Sequence, residues 1–209
     1  AAGSSCHSGP CRLPWNTVCM AGAMTDIKGT ILRSRLSFLD AEFGADVRRR
    51  VLAALTPAER SAVTRTLAPD WIPFALDERL QRAIVEVVGG DGAETFERLG
   101  AASATANLSS VHAAFLRPGD PHAFLDGTPQ IYGLYYDSGR REYRRTGPRA
   151  GVLTTHDAGH VSVTDCLTVI GWHRRALEMC GADGIAIEHG ECRARGDRVC
   201  AYTVTWRRP

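Results

Sequence analysis

From residue 25 to about residue 100 the apolar positions recur at helical spacing. Val47, Val51, Leu52 and Leu55 follow Phe43-Gly44 with that period. Thr56-Pro57-Ala58-Glu59 reads as a capping box with proline at the first helical position, so a helix starts at Thr56. Asp77 is placed to cap the next, whose Leu80, Ile84, Val87 and Val88 repeat before Gly89-Gly90 stops it. Another helix is expected from Ala93 through Leu108. After a turn at Arg117-Pro118-Gly119-Asp120-Pro121, one more is expected from Ala123 to Tyr136. Beyond Ser138-Gly139 the texture changes, and Arg141 to Arg145 and Ala150 to His156 read as strands split by Thr146-Gly147-Pro148. A strongly periodic helix follows from about Val161 to Cys180, with Cys166, Val169, Ile170, His173, Leu177 and Cys180 on one face. Ile185, Ile187 and His189 alternate, as do Cys200, Tyr202, Val204 and Trp206, with Gly196-Asp197 between them as a hairpin turn. The fold class expected is α+β: N-terminal helices packed with an antiparallel sheet, then a C-terminal helix followed by a β-hairpin.

Composition narrows the function classes. The chain has 209 residues and 44% hydrophobic content, ample for a single core. Its formal charge of +2 gives no global field toward nucleic acid or membrane. The clusters Arg48, Arg49, Arg50 and Arg140, Arg141, Arg144, Arg145, Arg149 read as solvated faces. No apolar run approaches the ~20 residues of a membrane span, and with no secretory pattern the expected location is cytoplasmic. Residues 1–23, with Cys6, Cys11 and Cys19 among Ser, Gly and Pro, read as a disordered leader or a tail foreign to the native chain, which leaves 24–209 as one domain. Seven cysteines, an odd number, argue against a fully paired disulfide framework.

The chemistry concentrates in the last forty residues or so. Cys166, His189, Cys192 and Cys200 supply the thiolate and imidazole ligands that zinc prefers, at the spacing H-x2-C-x7-C after the helix cysteine. Cys166 and Cys180 lie about 21 Å apart along one helix, so only one can join the others; Cys180 suits a small core residue. With a turn at Arg195 to Asp197, Cys192 falls opposite Cys200. His189 would then face the other way, and its participation requires a bulge, which Gly190 allows. Glu188 and Glu191 are substitute ligands. For Cys192 with Cys200, zinc, plain thiols and a disulfide all remain open.

Cys166-Leu167-Thr168-Val169-Ile170-Gly171-Trp172, followed by His189, Cys192, Gly196, Cys200 and Tyr202, resembles the C-terminal core of the 4-vinyl reductase domain superfamily. That superfamily includes aromatic-sensing modules of bacterial activators and is related to Bet3-type trafficking subunits. The pattern Lys28-Gly29-Thr30-Ile31-Leu32-Arg33-Ser34-Arg35, with Pro73-Phe74, Gly100, Ala104 and Tyr135-Tyr136-Asp137, resembles a myxobacterial paralogous family of unknown function within it. The resemblance implies a zinc site at Cys166, His189, Cys192 and Cys200, a dimer, and an apolar pocket between helices and sheet.

Three functions follow as expectations. The first is a noncatalytic sensor that binds a small apolar or aromatic molecule, is stiffened by structural zinc, and signals through a protein partner. Candidate pocket residues are Phe115, Phe124, Tyr132, Tyr135, Val169, Trp172 and His173, each of which also suits an ordinary core. The second is a homodimeric assembly adaptor, and the third an enzyme related to vinyl reduction. No catalytic residue is assigned: His156-Asp157 with His160 invites a triad, but adjacent residues rarely face each other. No nucleotide-binding glycine pattern is present.

Overall fold

The structure is a computed structural model and describes residues 25–208 apart from 111 and 161; the leader and its three cysteines lie outside the described residues. The chain opens with β1 (Asp26–Lys28), paired antiparallel with β2 (Trp71–Pro73). Between them run α1 (Gly29–Ala53) and α2 (Pro57–Arg65). Gly44, at φ 79°, breaks α1 into two helical pieces, a left-handed backbone setting that glycine adopts without a Cβ penalty. Thr56 and Glu59 form the reciprocal capping box of α2, with Glu59 N donating to Thr56 Oγ1 at 3.3 Å and Thr56 N to Glu59 Oε2 at 2.8 Å.

Next come α3 (Phe74–Val88) and α4 (Gly92–Leu108). Asp77 does not cap α3; it lies in the first turn, buried, and its carboxylate faces Arg35 of α1. The single helix expected over 123–136 is two: α5 (Pro121–Asp126) and α6 (Thr128–Tyr135). Pro129 has no N–H to continue the α5 ladder, so a new helix begins around it.

The remaining elements are β3 (Arg140–Gly147), β4 (Ala150–His156), α7 (Val163–Met179), β5 (Ala186–His189) and β6 (Cys200–Thr205). The four strands form one antiparallel sheet in the order β3-β4-β6-β5. Helix α7 crosses α4 at close range. A Cβ on Gly100 would collide with the backbone oxygen of Thr168, and one on Gly171 with that of Glu97, so the crossing depends on glycine from both helices. Leu32, Leu36, Leu80, Ile84, Phe96, Leu99 and Leu177 fill the core between α1, α3, α4 and α7. The architecture is α+β, with helices packed against a sheet. Among the described residues no helix is long and apolar enough to cross a membrane.

Candidate functional site

The structure brings Cys166, His189, Cys192 and Cys200 together from four places in the fold. Cys166 sits in the first turn of α7, where Ser162 caps the helix by accepting from Asp165 N. His189 ends β5 and Cys200 opens β6. Between them, Gly190 N donates to Ala201 O at 3.0 Å while Ala201 N donates to Glu191 O at 2.9 Å, so two residues face one: a β-bulge. That extra residue turns His189 and Cys192 toward the same point. Cys192 N donates to Asp197 Oδ2 at 2.7 Å, which pins the loop, and the His189 ring stacks on Tyr202 at 4.4 Å.

The Cys166 sulfur lies 4.0 Å from that of Cys192 and 3.9 Å from that of Cys200, and one ligand atom from each of the four residues lies within 4.8 Å of the others. Sulfurs bonded at about 2.3 Å to one tetrahedral ion stand about 3.8 Å apart, so this donor set could close around a cation. His189 Nε2 is buried with no hydrogen-bond partner. The thiols share charge unequally: bonds from Cys166 and Cys200, with the His189 imidazole, pull the Cys192 thiol far down, while the same sulfur contacts and burial push Cys166 up. Cys180 lies apart, fully buried in the core.

Beside this cluster is a cavity of about 60 Å³ between α1, α4, α6, β3 and α7. Of the seven pocket candidates, Tyr132, Tyr135, Val169, Trp172 and His173 line it. Phe124 is instead core, stacked 6.0 Å from Trp172, and Phe115 packs partly buried against the core. Helical spacing along α6 and α7 found part of the lining of those helices, without Thr128, Ile131 and Thr168. It missed Ile31 and Arg35 on α1, Ser103 on α4 and Arg141 on β3. The alternation Arg141-x-Tyr143 is the signal that could have marked Arg141 as inward-facing.

The polar side of the cavity is built from that arginine. Arg141 pairs across the sheet with Thr155, and its Nε and Nη2 both donate to Thr155 Oγ1, at 3.2 and 3.1 Å. Nη1 lies 3.4 Å from His173 Nε2, and the guanidinium lies over the Tyr132 ring at 5.0 Å. His173 Nδ1 sits 2.8 Å from Val169 O; a carbonyl only accepts, so Nδ1 carries the proton and Nε2 the lone pair. Burial, reinforced by the Arg141 cation, pushes the imidazole down to about 3. The Tyr132 hydroxyl donates to Ser138 O and that of Tyr136 to Asp165, whereas the buried Tyr135 hydroxyl has no partner.

The pairing of His156 with Asp157 does not form: His156 meets Glu142 at 3.1 Å, and His160 meets Asp165 at 3.1 Å. Despite burial, which works the other way, the bonds from His160 and Tyr136 hold the Asp165 carboxyl below its ordinary range.

No protein-family model matches the chain, and no curated protein matches it. Solved structures do. An H-NOX protein from S. oneidensis in the Fe(II)NO ligation state is 15% identical, over 86% of this chain and 99% of that one, with a TM-score of 0.67. A mutant H-NOX protein from K. algicida, in the Fe(II) unliganded state, is 11% identical over 86% and 96%, at 0.64. A structure described under modulation of heme redox potential through porphyrin distortion covers 85% and 99% at 15% identity and 0.64. The chain has the H-NOX fold.

That finding corrects the resemblance to the 4-vinyl reductase superfamily and to its myxobacterial branch. The motifs that carried it are short stretches scattered from Lys28 to Trp206, in α1, at Pro73-Phe74, in α4, at the end of α6, and in α7 with the bulged ribbon of β5 and β6, whereas the H-NOX likeness is one of overall arrangement across helices and sheet together. The cofactor expectation changes with it. Structural zinc rested on ligand type and spacing together with the superseded superfamily, and the neighbours are described by iron and heme instead; the four clustered residues are a donor set with no zinc shown.

A heme does not fit the residues present. The cavity of about 60 Å³ is well below the ~300 Å³ at the small end of sites for drug-sized ligands. Its one lining imidazole, His173, directs its lone pair at the Arg141 guanidinium, where an iron would otherwise have to sit.

Proposed function

We propose that this chain is a noncatalytic small-molecule sensor of the H-NOX fold, which admits a ligand much smaller than heme to the cavity bounded by α1, α4, α6, β3 and α7. The observation that carries this reading is the cavity itself: an apolar hollow whose wall holds a buried hydroxyl without a partner and a buried guanidinium with N–H groups to spare. The neighbours, described in their Fe(II) and Fe(II)NO states, support a ligand-binding role for this fold. Helix α7 lines the cavity with Val169, Trp172 and His173 and carries Cys166 one turn earlier, so a ligand that shifts α7 would load the cysteine–histidine cluster and the closing ribbon. A metal ion held by Cys166, His189, Cys192 and Cys200 would brace that wall, and a protein partner reading the ribbon would receive the signal.

The test is thermal unfolding against a panel of small neutral, aromatic and anionic molecules, with hemin included and its absorbance recorded. A ligand bound only by the folded state raises Tm in proportion to the logarithm of its concentration above Kd. At least one small-molecule class is expected to do so, and hemin to show no stoichiometric coordinated spectrum. A panel with no stabilising member overturns the reading. Elemental analysis of the wild type beside Cys192→Ser reports whether the cluster holds an ion and which.

A further inference from the structure

Two buried guanidiniums line the same cavity, and among the described residues only one has a counter-charge. Arg35, 3% exposed, faces Asp77 at 3.5 Å. Arg141, 9% exposed, has no carboxylate within ion-pair distance among the described residues. Its partners are the neutral Thr155 hydroxyl, the neutral His173 imidazole and the face of Tyr132. Asp165, whose charge it feels, is committed to His160 and Tyr136. On its other side Arg141 borders a smaller hollow beside Cys166 and Cys200. A charge withdrawn from water without a counter-charge is costly to the fold, and such charges are normally paired. Each terminal nitrogen of the Arg141 fork still has an N–H to give. The same cavity is lined by Tyr135, 6% exposed, whose hydroxyl has no partner.

From this geometry, and resting on the small-molecule reading above, we infer that the ligand is a small organic monocarboxylate. Its carboxylate answers Arg141, as a guanidinium fork favours, and its short apolar body lies against Ile31, Ile131, Val169 and Trp172. The volume sets the size: about 60 Å³ is room for a few water molecules, since one water needs roughly 10–15 Å³ by the same measure. A short-chain acid of the propionate type fits this space without parting the helices. Tyr135 adds a donor that the bare protein leaves unused.

The experiment compares propionate with propionamide, which match in shape and differ in charge, on the dialysed full chain by calorimetry and thermal unfolding, with Arg141→Gln and Arg141→Lys beside the wild type. Propionate is expected to bind and stabilise, propionamide to bind about tenfold or more weakly, and Arg141→Gln to lose the preference, with Arg141→Lys retaining part of it. Equal binding of acid and amide overturns the inference and leaves the sensor reading standing. So does stabilisation by other small molecules with none by propionate, the outcome expected if the cysteine cluster alone answers the Arg141 charge. Failure of every molecule removes both. If Arg141→Gln does not fold, the wild-type comparison of acid with amide still decides.

Discussion

The two walls of the cavity bury their polar groups in opposite ways. On the helical wall, Arg35 of α1 meets Asp77 of α3, and Gln81 Nε2 donates to Asp77 Oδ2 at 2.6 Å, so charge is cancelled inside the protein. Arg35 also reaches Leu99 O of α4 and thereby ties three helices at one point. On the sheet wall, Arg141, His173 and Tyr135 gather from β3, α7 and α6 with neutral partners or none. The helical wall balances its charge internally, although Arg35 Nε, Asp77 Oδ1 and Gln81 Oε1 are left without hydrogen-bond partners. The sheet wall has donors left over, which is the condition of a surface prepared for something the chain does not itself supply.

The largest break of this comparison is Asp77→Ala. Removing one member of a buried pair strands the other, and about 3–5 kcal/mol of stability should go with it, measured by urea unfolding. The carboxyl of Asp77 is pushed up by burial, with Arg35 opposing, so the pair is not at its electrostatic best. The double change Arg35→Met with Asp77→Leu should recover most of the loss, because an apolar replacement leaves no orphan. A single Asp77→Ala loss below about 1 kcal/mol would mean that water already solvates Arg35, and the two walls would no longer differ.

The sheet wall can be sharpened through His173. Its folded pKa is about 3 against the usual 6.5, so over that window the unfolded chain binds the proton and the folded chain does not. Stability must therefore rise with pH across the window and fall as the solution is acidified. Between pH 6.5 and 5 the loss attributable to this ring is about 2 kcal/mol. Asp165, held low, loses its contribution only at more acid pH, and Asp77, held high, slopes the other way. Denaturant titrations of His173→Leu beside the wild type isolate the ring: the variant's profile should be flatter by that amount. An unchanged slope would place a proton on the buried ring and a different set of partners around Arg141.

How much of this was readable in the chain follows from the range of each interaction. The capping box at Thr56 and Glu59 is local, and so is the stop at Gly89; both were legible because the residues that decide them are neighbours in sequence. The bulge that lets His189 join Cys192 and Cys200 was also visible as a requirement, since strand alternation forbids the meeting without it. Arg141 was not. It stands in a run of five arginines whose other members face water, and only its pairing opposite Thr155 on β4 and the arrival of α7 bury it. The helix break at Gly127 was overlooked because the apolar period of α5 and α6 continues across it. The fold family was misjudged for a related reason. The motifs at residues 28–35, Pro73-Phe74, Gly100 and in the cysteine-bearing ribbon are each short-range signatures, and the arrangement of α1, α3, α4 and α7 relative to one another is set by long-range packing that none of them carries.

The smallest expected effect tests the unfinished state of the sheet wall most directly. Tyr132, Tyr135 and Tyr136 sit close together on α6 and just past its end, and all three line the cavity, so removing each hydroxyl alters one polar atom in nearly the same surroundings. The Tyr132 hydroxyl donates to Ser138 O at 3.0 Å and the Tyr136 hydroxyl to Asp165 Oδ1 at 2.9 Å. Tyr132→Phe and Tyr136→Phe should each cost about 1 kcal/mol or somewhat more, the latter because its partner is charged. Tyr135→Phe breaks no hydrogen bond and removes a buried hydroxyl that has none, so the ligand-free protein should gain up to about 0.5–1 kcal/mol. Thermal unfolding of the three variants under one condition gives the ordering without reliance on absolute values. A loss at Tyr135 equal to the other two would show that its hydroxyl is already satisfied, and the sheet wall would then differ from the helical one only in the missing counter-charge of Arg141.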